Sequence, residues 1–376
     1  MEVYLDNAAT TRVCTEAADI AYKVMTECYG NPSSTHTKGR EAKAYLDAAR
    51  TQIAKALGCA VTEVYFTSCG SESDVWAITK GAESMSRQGK HIISSAVEHD
   101  AVRKTLADLE ARGYEVTYLK PEQDGSISVQ AVKNALRSDT VLVTLMMVNN
   151  ETGGVTDIAG IAKMLKAEGS KALLHTDAVQ GFMKLPFSAK KLGADMISIS
   201  GHKIHAPKGI GALYIKTGVK IKPLIHGGAQ ESGLRAGTEA MPQIAAFGKA
   251  AEIAFAGMRE NYEKIAKLRE SAASAICAEI PEAVIIGGGA PHILSVSLPG
   301  WRSEVLMNFL EAKGIFVSRS SACKKGGRSH VLEAMGLSAP IIDGAIRISF
   351  SRMNTQSDVD ALVSALKEAH DTLAHR

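Results

Sequence analysis

The feature that most constrains this chain is its alternation of short apolar runs with longer amphipathic stretches. Runs at 63–67, 91–94 and 140–144 are separated by segments, such as 100–112 and 157–168, whose apolar residues recur at helical spacing. Parallel strands need helical crossovers and bury both faces, so this rhythm predicts an α/β fold with a mostly parallel sheet covered by helices. Further runs at 172–175, 195–200 and 211–215 bring the expectation to six or seven strands before residue 220. A large domain is expected over residues 16–250. Residues 245–279 read as one long, charged, Ala-rich helical stretch. Strands are then expected at 283–286, 293–298, 315–317 and 345–350, giving a smaller α+β domain from residues 1–15 and 251–376. No linker rich in Pro or Ser separates the parts, which predicts tight packing around a shared cleft.

Composition excludes several classes of function. With 45% hydrophobic and 22% charged residues, no stretch approaches the roughly 18 apolar residues of a membrane span. A net charge of +3, evenly spread, leaves no electrostatic footprint for nucleic acid. The amino terminus lacks the basic and apolar regions of a secretory signal, so a cytoplasmic protein with reduced thiols is expected. Its six cysteines form no Cys-x-x-Cys pair and none has zinc-like spacing to a histidine, which disfavours a metal site or disulfide framework. Small molecules remain the expected ligands.

In open α/β sheets ligands gather beyond the carboxyl ends of the strands. Five polar groups follow apolar runs here. The Thr-Ser-Cys-Gly-Ser turn at 67–71 is either an ordinary strand-to-helix turn or, through the free N–H groups near Gly70 and Ser71, a phosphate cradle. His99 is a structural histidine or one that stacks on an aromatic ligand and moves protons. Asn150 lies in an Asn-Asn-Glu-Thr-Gly turn whose amides suit a phenolic oxygen as well as a simple turn. Asp177 caps a helix or holds a ring nitrogen protonated, with Gln180 one turn on. Ser200, His202 and Lys203 stand in a glycine-flanked turn. There a desolvated lysine could form a Schiff base, although an isolated lysine is far more often a solvated side chain.

Together, in this order, these are the parts a pyridoxal phosphate site needs. The chain resembles the NifS/IscS-type cysteine desulfurases, in the class V aminotransferase group of fold-type I pyridoxal phosphate enzymes. The resemblance runs nearly end to end, from Tyr-Leu-Asp-Asn-Ala-Ala-Thr-Thr at 4–11 and Gly-Asn-Pro-Ser-Ser at 30–34 to Ser-Gly-His-Lys at 200–203. It continues through Arg-Ala-Gly-Thr at 235–238 and Ser-Ala-Cys at 321–323 to Arg347. It implies a seven-stranded large domain and a small domain carrying a catalytic cysteine loop. Lys203 is implied to hold the cofactor and move the substrate's α-proton, Asp177 to pair with the pyridine nitrogen and His99 to stack on the ring. Asn150 and Gln180 are implied to meet the ring oxygen, and Gly70, Ser71, Ser200 and His202 the phosphate. Thr238 is implied to reach that phosphate from the second subunit of a homodimer. Asn31 and Arg347 are implied to grip the carboxylate of L-cysteine, and Cys323 to receive its sulfur as a persulfide. The acceptor is then an iron–sulfur scaffold or a tRNA thiolation enzyme. The basic neighbours Arg319, Lys324, Lys325 and Arg328 are expected to favour the Cys323 thiolate if they point inward.

Two segments depart from the family pattern. The phosphate turn usually reads Ser-Gly-Ala-Thr-Glu-Ser-Asp-Asn and here, at 68–75, is Ser-Cys-Gly-Ser-Glu-Ser-Asp-Val. The segment after Cys323 is about two residues shorter than in many relatives. The rival readings are a selenocysteine lyase or another class V aminotransferase, and a non-catalytic sulfur carrier that kept the fold.

Overall fold

A computed structural model describes residues 2–319 and 327–373. Thirteen strands occur among the described residues. They are β1 (Val3–Tyr4), β2 (Val64–Thr67), β3 (His91–Ser95), β4 (Glu115–Leu119), β5 (Thr140–Met146), β6 (Leu173–Asp177), β7 (Met196–Ser200) and β8 (Gly211–Ile215). The later strands are β9 (Val284–Ile286), β10 (Ile293–Ser297), β11 (Ile315–Phe316), β12 (Ser318–Arg319) and β13 (Ala345–Ser349).

The large sheet has the order β2-β8-β7-β6-β5-β3-β4, and β8 is antiparallel to both of its neighbours while the other pairs are parallel. All strands but β8 therefore run one way, and their carboxyl ends share one edge. β3, β5 and β7 are buried along their whole length, as expected of strands covered on both faces. β4 went unread in the sequence for the opposite reason. It is an edge strand, paired only with β3, and its partly exposed Glu-Val-Thr-Tyr-Leu never needed a continuous apolar run.

The long helical stretch is two helices, Met241–Ala256 and Met258–Glu279, rather than one. Gly257 divides them: a poor helix former, it adopts φ −96° and ψ 12° between the two helices. The first helix packs into the core of the large sheet. The second joins a separate core with β10, β13 and the helix Gln356–Thr372. Val3 and Leu5 belong to that second core, and β1 pairs in parallel with β11. The amino-terminal strand thus packs with the carboxyl-terminal elements before the chain turns into the large sheet.

A buried ion pair fixes the segment that leads toward Thr238. The Arg50 guanidinium donates to both Glu231 oxygens at 2.7 and 2.6 Å, and Phe66 N–H donates to the same carboxylate at 2.8 Å. Glu231 and Ser232 both adopt positive φ, 47° and 58°, a conformation that needs such anchoring. Removing one partner of a buried pair leaves an uncompensated charge. Arg50→Ala is expected to lower the unfolding free energy by about 3 kcal/mol in urea titrations, and a loss below about 1 kcal/mol would mean the pair is solvated.

Candidate active site

The shared carboxyl edge of the sheet opens into a cavity of about 350 Å³. The helix Gly70–Ser84 begins directly after β2, so Gly70 and Ser71 put the helix amino terminus at the cavity wall. Close approach demands glycine here. A Cβ on Gly70 would stand 2.7 Å from Val179 Cγ2, and one on Gly211 2.7 Å from the Cys69 carbonyl carbon. Ser200, at the end of β7, also lines the cavity, and its buried hydroxyl has no hydrogen-bond partner.

His99 caps a helix and also reaches the cavity. Its Nδ1 accepts from Ala101 N–H at 3.2 Å, capping the helix Asp100–Ala111, while the residue also lines the cavity. Asp177 ends β6, and its Oδ1 accepts from Val179 N–H at 2.9 Å. Burial raises the proton affinity of this carboxyl above the ordinary aspartate value, against the pull of His99 and Lys203. The Gln180 amide donates to the Ala8 carbonyl at 2.8 Å, and the Arg347 guanidinium donates to the Asn150 carbonyl at 2.8 Å.

Lys203 is the chemical centre. Its Nζ donates to the carbonyls of Ala8 and Ala9 at 2.6 and 2.8 Å. Burial, reinforced by the Arg347 charge, lowers its pKa to about 7, with Asp177 and Asp6 opposing. Burial and the neighbouring Lys203 lower His202 to about 4, which leaves that imidazole neutral. Arg347 donates to Asp6 Oδ1 at 2.9 Å, while its Nε has no partner.

Ten of the residues singled out from the sequence therefore line one cavity. Asn31 and Thr238 do not: both are exposed, and Asn31 Oδ1 accepts from Ser33 N–H at 2.9 Å. Cys323, Lys324 and Lys325 lie outside the described residues. Two of the basic neighbours, Arg319 and Arg328, lie among the described residues. Arg319 pairs with Glu304 at 2.7 Å and Arg328 with Asp343 at 2.8 Å. Sequence reading assigned no part to Asp6, Ala8, Ala9 or Asp74, although the 4–11 motif was the signal for the first three.

Residues 3–362 match the family model for aminotransferase class-V. The chain belongs to that family. Over 371 residues it is 43% identical to "Cysteine desulfurase IscS" of Methanosarcina thermophila, covering 97% of this chain and 91% of that protein. It is 40% identical to "Cysteine desulfurase" of Trichormus azollae over 376 residues, 99% of this chain and 93% of the relative. Among solved structures it resembles a NifS-like protein, with a TM-score of 0.94, 38% identity and coverage of 99% of this chain and 100% of the other. It also resembles "SspA in complex with cysteine", at a TM-score of 0.82, 33% identity and 94% and 99% coverage. As in any class V aminotransferase chain, a fold-type I architecture follows, and the seven-stranded sheet agrees with it. No described helix is long and apolar enough to cross a membrane.

The lowered pKa of Lys203 makes a direct prediction for the cofactor-free class V protein. Reductive methylation of Lys203, followed by peptide mass spectrometry across pH, is expected to show a midpoint near 7. Exposed lysines, by contrast, titrate near ~10.4. A Lys203 midpoint above about 9 would mean the amine is solvated.

Proposed function

We infer that this chain is a cysteine desulfurase that works with pyridoxal phosphate and takes sulfur from L-cysteine onto Cys323. The observation that carries the reading is Lys203, an amine lowered to about 7 in the same cavity as Asp177 and Arg347. Full-length relatives described as cysteine desulfurases support it. The residues present suit the cofactor. Ser200 offers a buried hydroxyl without a partner, the helix beginning at Gly70 offers N–H groups for a phosphate, and Asp177 offers a carboxylate for a ring nitrogen. His99 would meet the ring, Asn150 and Gln180 would hold its oxygen, and His202 would help hold the phosphate, since all four line the cavity. When bound, pyridoxal phosphate supplies an electron sink for carbanion chemistry at the substrate's α-carbon.

The chain's own groups do the rest. Lys203, with a pKa near working pH, accepts the α-proton and returns one, since both of its protonation states are accessible there. Arg347 binds the substrate carboxylate by a bidentate pair, using donors now shared with Asp6 and the Asn150 carbonyl, and Asn31 assists. The Cys323 thiolate attacks the substrate sulfur: an S–S bond forms as the C–S bond breaks, and the carbon fragment takes up a proton and leaves as alanine. The persulfide then passes to an acceptor protein, an iron–sulfur scaffold or a tRNA thiolation enzyme. We also propose that residues 16–250 form the large domain and residues 1–15 with 251–376 the small one. The working unit is a homodimer in which Thr238, exposed on this chain, meets the partner's phosphate.

The expected outcomes follow residue by residue. Lys203→Ala abolishes alanine production from cysteine. Asp177→Asn keeps the cofactor but lowers turnover by on the order of 100-fold, because a neutral amide cannot stabilise a protonated pyridine. Cys323→Ala retains cofactor colour and substrate binding yet yields no protein persulfide by mass spectrometry. Normal release of alanine and sulfide by Cys323→Ala would remove it as the sulfur acceptor.

A further inference from the structure

Behind Asp177 stands a second carboxyl to which no role has been given. Asp74 lies in the helix Gly70–Ser84, lines the same cavity, is 1% exposed, and leaves Oδ1 without a hydrogen-bond partner. The nearest basic group offers it no charge. His175 Nε2 is 3.7 Å from Oδ1, but this wholly buried imidazole is lowered to about 3 by desolvation and is therefore neutral. Both its nitrogens are already engaged, Nδ1 with Thr144 Oγ1 at 2.8 Å and Nε2 with Ser198 Oγ at 2.9 Å.

The groups that face Asp74 are mostly acidic. Asp177 comes from β6, Glu98 from the turn after β3, and Cys69 from its own helix cap, while the Ser198 hydroxyl of β7 is the one group that favours its ionised form. Burial and then Asp177 drive its proton affinity well above the ordinary carboxyl value. Glu98 does not supply an opposing charge, since burial raises it to about 8. Two adjacent buried carboxyls do not both ionise in such surroundings. The pair is resolved by its partners: Asp177 has the Val179 N–H and the attraction of His99 and Lys203, whereas Asp74 has no cation.

We propose that Asp74 is a positioning residue: a buried carboxyl with an unpartnered Oδ1, in the same cavity wall as Asp177, that donates a hydrogen bond to it, so that the one negative charge of the pair rests on Asp177. This rests on the reading that Asp177 faces the cofactor's ring nitrogen. A neutral donor steadies the anion beside it, whereas a second anion would promote its protonation. The sign of the effect therefore separates the two arrangements.

The test compares Asp74→Leu with Asp74→Asn in the holoenzyme. Leucine removes the donor, and the acid limb of kcat/KM against pH is expected to move up by about one unit, a tenfold loss of activity at a pH on that limb. Asparagine, whose amide still donates, is expected to restore the limb to within about 0.3 units and turnover to within about threefold. A limb that moves down in Asp74→Leu means that Asp74 was carrying charge, and an unmoved limb means that it acts on nothing; either result overturns the proposal. So does failure of Asp74→Asn to rescue. A second measurement needs no cofactor. Infrared difference spectra of the cofactor-free proteins, wild type minus Asp74→Asn, should show the carbonyl band of a protonated carboxylic acid at neutral pH, and a carboxylate band instead overturns the proposal. If wild-type protein bound no pyridoxal phosphate, the functional reading would fail while the infrared result still decided the state of Asp74.

Discussion

The site depends on the stretch 6–11 of the chain crossing the open edge of the large sheet. Ala8 and Ala9 carbonyls take the Lys203 amine, the Ala8 carbonyl also takes the Gln180 amide, and Thr11 donates through both N–H and hydroxyl to the His202 carbonyl. The other side of the same stretch is held by β13, where Ser349 Oγ accepts from Ala8 N–H at 2.8 Å and Asp6 pairs with Arg347. One short segment therefore ties the cores of the two halves together and takes two of the hydrogen bonds of the lysine amine. Burial of the amine, with the Arg347 charge beside it, is what lowers the Lys203 pKa to about 7.

Charge is then divided among neighbouring acids and bases by environment, not by residue type. Lys203, His202 and His175 are all driven toward neutrality by burial, while Asp177, Asp74 and Glu98 are driven toward protonation. Asp177, which accepts from the Val179 N–H and feels the attraction of His99 and Lys203, has more to favour its ionised form than Asp74 does. The same sheet edge, with β8 alone reversed, brings these groups together from the ends of β2, β3, β5, β6 and β7. This is why residues more than a hundred positions apart share a cavity of modest size.

Much of this was legible in advance where a single physical demand dominated. Strands such as β5, buried on both faces, must be apolar throughout, and polar residues that follow them must face the edge. Edge strand β4 carries no such demand and escaped notice. The break at Gly257 is a local change of backbone, with φ −96° and ψ 12°, which no apolar periodicity records. The ion pairs of Arg319 with Glu304 and of Arg328 with Asp343 join residues 15 positions apart that only folding brings together.

The sequence by itself determined the alternating architecture, the family, and the identity of the lysine, histidine, aspartate and arginine that meet in the cavity. Those rest on local pattern: apolar periodicity, glycine-flanked turns, and functional side chains at strand ends. Tertiary structure alone decided that Ala8 and Ala9 accept from the lysine amine, and that Asp74, on its face a polar residue in a helix, stands buried in the same cavity wall as Asp177. Proton affinities depend on desolvation and on charges a few ångströms away, and those distances come into being only when distant segments pack.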